Sequence, residues 1–194
     1  DGLRDQLAVL AQQQLLRKRW AVESACAPEM MVDGQRLLNF CSNDYLGLAN
    51  HPEVRKADAQ AAAQYGLALP MGARMMSGNS NHHEELEASL AQFEGKEDAI
   101  LLNFGYQGMV SLIDVLCSRH DIIVYDAESH ACIIDGVRLH PGHRYVFKHN
   151  DLADCEKQLQ RATALIEKQQ AGGILLITEG VFGMAGDQGK LKEL

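Results

Sequence analysis

Along the second half of the chain, short apolar runs alternate with longer stretches in which apolar residues return every three or four positions. The short runs read as strands and the longer stretches as amphipathic helices. This predicts strand Ala99–Leu102, helix 105–117, strand Ile122–Tyr125, helix 130–138, strand Tyr145–Lys148, helix 151–170 and strand Gly173–Thr178. The order is βαβαβαβ, the pattern of a mainly parallel sheet covered by helices. Leu152, Cys155, Leu159, Ala162 and Ile166 form the buried stripe of the long helix. Ile174, Leu175, Leu176 and Ile177 are apolar without interruption, as in a strand buried on both faces.

The first half is less regular. Leu3, Leu7, Leu10 and Leu15 mark a helix over 2–20, Asp33-Gly34 a hairpin turn, and Leu38–Cys41 a short strand running into the polar turn Ser42-Asn43-Asp44. Pro52 opens an Ala-rich helix over 52–65, and a Gly-containing linker spans 66–80. Asn81 with Glu84 three residues later resembles a capping box, followed by Leu86, Leu90 and Phe93 on one face of a helix ending near 94. The expected division is an N-terminal helix and arm, 1–50, and an α/β part, 51–194.

Composition narrows the function. Eighteen Lys and Arg against 26 Asp and Glu give a net charge of −8, and the only dense basic run is Arg17-Lys18-Arg19, which argues against a nucleic-acid partner. That run reads more simply as a solvated helix face. A hydrophobic fraction of 46% and a charged fraction of 23% fit a globular domain. No apolar run has the length of a membrane span, and residues 1–20 lack a secretory leader's apolar stretch, so the expected location is cytoplasmic. Five dispersed cysteines, with no C-x-x-C pair, predict reduced thiols and no zinc site.

Ligands of open α/β sheets bind beyond the carboxyl ends of the strands, and helix N-termini favour anions. Three such ends are readable here. Strand 99–102 leads into Asn103-Phe104-Gly105-Tyr106-Gln107-Gly108, strand 122–125 into Asp126 through His130, and strand 173–178 into Glu179-Gly180-Val181-Phe182. Gly105 and Gly108 suit either a phosphate cradle or a tight strand-to-helix turn. His130, near Asp126 and Glu128, is the catalytic candidate as an acid/base or a ring stacked on a planar ligand; a helix cap explains it equally well. Glu179 reads as a site carboxylate or a solvated loop acid, and Arg74 as an anion clamp or an ordinary loop arginine. The residues themselves imply an anionic small-molecule site and do not reveal a reaction.

A specific ordered set of segments goes further. Ser42-Asn43-Asp44-Tyr45-Leu46-Gly47-Leu48, Asn50-His51-Pro52, Gly72-Ala73-Arg74 with Ser77-Gly78, and His83-Glu84-Glu85-Leu86-Glu87 come first. Ser129-His130-Ala131, Ile134-Asp135-Gly136, His149-Asn150-Asp151 and Thr178-Glu179-Gly180-Val181-Phe182 with Met184 and Gly186-Asp187 follow. Together they resemble the α-oxoamine synthases, a pyridoxal 5'-phosphate family of the aspartate aminotransferase fold, from about residue 15 onward. The resemblance implies a three-layer α/β/α domain and decarboxylative condensation of glycine, alanine or serine with an acyl-CoA. It also implies a homodimer. Residues 51–194 would be the N-terminal part of the large, cofactor-binding domain. By matched position, His130 stacks on the cofactor ring and helps bind the amino acid, Gly105 and Tyr106 bind its phosphate, Asn43 lies near the substrate, and Arg17 binds the substrate carboxylate. Arg74 stands where glycine-using members carry arginine.

Three departures accompany the resemblance. Gly183 and Cys132 stand where the family carries serines, and the chain reaches Leu194 before the family's Schiff-base lysine and the aspartate that pairs with the ring nitrogen. The expectation is that these 194 residues alone are inactive and belong to a longer enzyme. Two alternatives are a non-catalytic subunit that partners an active relative, and a simple phosphate-ligand-binding domain.

Overall fold

The computed structural model describes residues 2–66 and 70–194, and the chain forms two compact units, Asp1–Leu86 and Glu87–Leu194. Positions 67–69 of the expected 66–80 linker lie outside the described residues.

In the first unit, α1 spans Gly2–Gln12, well short of the expected helix over 2–20. Gln14 adopts a left-handed φ of 58°, and the amides of Leu15 and Leu16 both turn back to the carbonyl of Leu10, which ends the helical ladder. The hairpin at Asp33-Gly34 forms as expected. Strand β1 (Glu29–Val32) pairs antiparallel with β2 (Gln35–Leu38), with Val32 opposite Gln35. Both turn residues have positive φ, 47° and 73°, as a two-residue type I′ turn requires. The strand expected at 38–41 is displaced upstream, because pairing ends at Leu38. Beyond it the Asn39 amide bonds the Pro28 carbonyl at 2.8 Å and the Cys41 amide bonds the Asn39 side chain at 3.1 Å.

Helix α2 (Pro52–Tyr65) starts on its proline and stops at Gly66, and α3 covers Asn81–Glu94. The capping at α3 differs from the expected Asn81–Glu84 box. Ser80 stands before the helix with its hydroxyl 2.8 Å from His83 Nδ1, and Glu84 instead accepts from the Asn79 side-chain amide at 2.8 Å.

The second unit is the α/β part. Its elements are α4 (Gly105–Leu116), β3 (Ile122–Asp126), α5 (Ala131–Leu139), β4 (His143–Phe147), α6 (Leu152–Gln169) and β5 (Ile174–Ile177). The three strands form a parallel sheet in the order β4-β3-β5, with Ile122 level with both His143 and Ile174. Strand alternation sends Ile123 to one face, where Ile113 of α4 and Cys132, Ile133 and Val137 of α5 bury it. Ile122 and Val124 go to the other face, against Phe147 and the Cys155–Ala162 stripe of α6. A strand covered on both sides has no polar alternation, which explains the continuous apolar runs. This is the three-layer α/β/α arrangement implied by the sequence.

The expected first strand, Ala99–Leu102, is not a strand. Its Leu101 amide donates to the Glu87 carboxylate at 2.6 Å rather than to a neighbouring strand, and Ile100 is exposed. A strand is a paired state, and no described strand offers this segment a ladder. The βαβαβαβ expectation therefore reduces to three paired strands.

Candidate functional site

All three strands are parallel, so their carboxyl ends share one edge, and the connections leaving that edge carry the candidate residues. His130 follows β3 and is the N-cap of α5, its ring accepting a hydrogen bond from the Cys132 amide at Nδ1, 3.2 Å. The cap reading of this histidine is the one its geometry shows. The ring's Nδ1 also lies 2.9 Å from Cys132 Sγ, while the residue as a whole is exposed. Its backbone N–H donates to the Glu179 carboxylate, which arrives from the end of β5. Glu179 thus ties the end of β5 to the start of α5.

Tyr106, in the first turn of α4, meets the same group from the other side. Its ring stands edge-on to His130 at 6.2 Å between centroids and 71° between planes. Its hydroxyl donates to Asp135 of α5, and that carboxylate holds the phenol's pKa above its usual range. The ends of β3 and β5 and the start of α4 converge, as expected of the three connections.

The two glycines of α4 separate the cradle from the tight-turn reading. A Cβ on Gly108 would come 2.8 Å from Leu102 Cδ1, the movable end of an exposed side chain, so Gly108 lies under Leu102. Nothing lies within 4 Å of the corresponding point on Gly105, and Phe104 before it supplies no side-chain cap. The first amides of α4 therefore have no side-chain partner at the cap, a setting that suits a phosphate.

A second cluster lies at the same edge and was not assigned a role from sequence. Asp126, the last residue of β3, is fully buried and turns away from the solvent face. Its carboxylate accepts from the Glu128 amide at 2.8 Å, the Asn150 amide at 3.0 Å and His149 Nδ1 at 2.8 Å. His149 Nε2 faces Asp187 at 2.7 Å, and the Asn150 side chain donates to the same Asp187 oxygen at 2.8 Å. Phe182 packs edge-on against the His149 ring at 4.4 Å. With a carboxylate on each ring nitrogen, first Asp126 and then Asp187, the His149 pKa rises from 6.5 to about 9. The same contact lowers that of Asp187. The signal was present in the His149-Asn150-Asp151 and Gly186-Asp187 segments, but nothing in one dimension links two loops 38 positions apart. Asp126 therefore serves His149 rather than His130, and Glu128 approaches the same ring at 3.9 Å.

The remaining predicted residues lie in the first unit. Arg17 and Asn43 are both exposed there. Arg74 binds the Asn79 side chain through Nε at 3.0 Å and Nη2 at 2.7 Å, which ties its own loop together. All five cysteines are free thiols. None of the described helices is long and apolar enough to cross a membrane.

A parallel sheet between helices, with an uncapped helix start and a histidine at one sheet edge, places the chain among the three-layer α/β proteins. Within that class the chain belongs to the aminotransferase class I and II family, whose profile matches residues 35–194. It is 62% identical over 173 residues to a cysteate-C-fatty acyltransferase from Capnocytophaga ochracea, covering 89% of this chain and 41% of that protein. It is 35% identical to an 8-amino-7-oxononanoate synthase from Thermoanaerobacter pseudethanolicus over all of this chain and 48% of that one. Among solved structures, a serine palmitoyltransferase variant from S. paucimobilis with a bound PLP–myriocin aldimine superposes with a TM-score of 0.86 at 28% identity, covering 100% of this chain and 47% of that chain. The chain thus spans about half the length of the curated relatives it matches.

Proposed function

We propose that the full-length protein is a pyridoxal 5'-phosphate-dependent acyltransferase that condenses an α-amino acid with a fatty acyl thioester, releasing carbon dioxide and the thiol. The observation that carries this reading is the uncapped start of α4 beside the braced His130 in a chain of this family. The residues present fit the cofactor. No side chain caps the start of α4, which leaves the amides at Gly105 and Tyr106 to the cofactor's phosphate, and the exposed His130 ring offers a flat surface for its pyridine. When bound, the cofactor supplies the electron sink for loss of the carboxylate and formation of the carbon–carbon bond.

This chain's own residues orient and exclude. Helix α4 holds the phosphate by backbone donation, so no lysine is needed there. Glu179 and Cys132 fix His130 from the backbone and ring sides, and Tyr106 limits the ring's sideways movement. Arg17 and Asn43 are assigned to the amino-acid substrate by the family resemblance alone. Residues 51–194 are read as the N-terminal part of the cofactor-binding domain, with the full-length protein a cytoplasmic homodimer.

Among amino acids, cysteate is the first choice, because the cysteate-specific relative shares 62% identity against 35% for the 8-amino-7-oxononanoate synthase. Glycine, alanine and serine follow. The test is thiol release by the full-length protein, saturated with cofactor, from a long-chain acyl-CoA in the presence of each amino acid. Cysteate-dependent release with an amino-ketone product of matching mass is the expected outcome. Release with serine or glycine alone would move the substrate assignment. No amino-acid-dependent release at all would replace the enzyme with a non-catalytic partner of an active relative.

A further inference from the structure

The side chain that governs His130 is not one that faces a ligand. Cys132 is buried in the first turn of α5, beneath the histidine that caps its own helix. Two of its atoms reach the same ring nitrogen: the backbone N–H at 3.2 Å and Sγ at 2.9 Å. A backbone amide only donates, so His130 Nδ1 must present its lone pair. The thiol then donates to the same lone pair, since a proton on Nδ1 would oppose the amide.

We propose that Cys132 is the positioning residue for His130: its amide and thiol, both directed at Nδ1, fix the neutral imidazole as the tautomer protonated on Nε2 and hold the ring at the sheet edge. Three groups then define the histidine completely. Cys132 sets its proton and torsion, Glu179 anchors its backbone N–H, and the Tyr106 ring stands edge-on beside it. The consequence is that Nε2, the nitrogen remote from the cap, is always a donor toward whatever occupies the site. A serine, which the family carries at this position, also has a side-chain proton to donate.

The inference deepens the function proposed above, and its test separates the two. In full-length protein labelled with ¹⁵N-histidine, the His130 signals are assigned by their loss in His130→Asn. The expected spectrum has an unprotonated, hydrogen-bonded Nδ1 and a protonated Nε2. Cys132→Ser retains that spectrum, because the hydroxyl donates as the thiol does. Cys132→Ala removes the thiol donor and keeps the amide, so the Nδ1 signal shifts toward that of a more weakly hydrogen-bonded nitrogen. The KM for the amino acid rises ~2- to 10-fold, the span of one net hydrogen bond, while the KM for the acyl thioester is unchanged. A proton on Nδ1 in the wild-type protein overturns the proposal, as does a Cys132→Ala protein with unaltered spectrum and KM. The spectrum is read without substrate. An inactive protein with the expected tautomer defeats the functional reading alone, and an active one with Nδ1 protonated defeats this inference alone.

Discussion

At the residue scale, two histidines leave the same sheet edge with different carboxylate partners, His130 with Glu179 and His149 with Asp126 and Asp187. His130 and Glu179 were separate candidates 49 positions apart, and the structure joins them by one hydrogen bond. Asp126 was grouped with His130 by proximity in the chain, whereas strand alternation buries it and the Asn150 turn, at φ 52°, brings His149 to it instead. Spacing along a chain does not report which loop folds back. Both nitrogens of His149 meet carboxylates, one of them on the fully buried Asp126. Removing the ring leaves that carboxylate with its amide donors and no charge partner. His149→Ala is therefore expected to lower the unfolding free energy by ~2 kcal/mol, within the range for hydrogen bonds to charged groups, as measured by urea denaturation. An unchanged midpoint would mean that solvent replaces the ring without cost.

At the element scale, periodicity located every helix and strand that buries a face, with shifts of one or two residues at their ends. Helix α6 shows why: its expected stripe contains Cys155 and Ala162, which lie at the core, so pattern and packing report the same thing. The failures are the expected strand at 99–102 and the last part of the expected helix over 2–20. Ala99–Leu102 has a strand's composition but no ladder, and Leu15, expected to continue α1, is exposed beyond its end. The close approach of α4 to α5 was also invisible in sequence. It rests on Gly136, where a Cβ would come 2.8 Å from Ile113 Cδ1 and 3.3 Å from the Val110 Cα. Gly136→Val is expected to destabilise the second unit by ~1–3 kcal/mol, the usual cost of overpacking, seen as a lower thermal midpoint. If Gly136→Val left that midpoint unchanged, the two helices would be free to separate.

At the scale of the whole molecule, the charged clusters set a pH window. His149 has a folded pKa of about 9 against an ordinary 6.5, so its contribution is complete below the ordinary value and disappears as pH rises through about 9. Asp187, held down by His149, and Asp121, held down by Ser118 and Gly173, have lowered pKa values. Their contributions are present above the ordinary value of 3.8 and are lost as pH falls through their folded values. Thermal midpoints measured from about pH 3 to pH 10 should form a plateau with an edge on each side. His149→Ala should flatten the alkaline edge and blunt the acid one through Asp187; an alkaline edge that survives this substitution belongs to another group. The sequence by itself determined the α/β class, the order of the elements, the acidic balance and the candidates for a site. Those follow from local periodicity, from composition and from motifs of fixed spacing. Tertiary structure alone decided which strands find partners, that Cys132 and Glu179 serve His130, and that Asp126 and Asp187 confine His149. Hydrogen bonds and close packing between distant segments exist only after the chain has closed on itself.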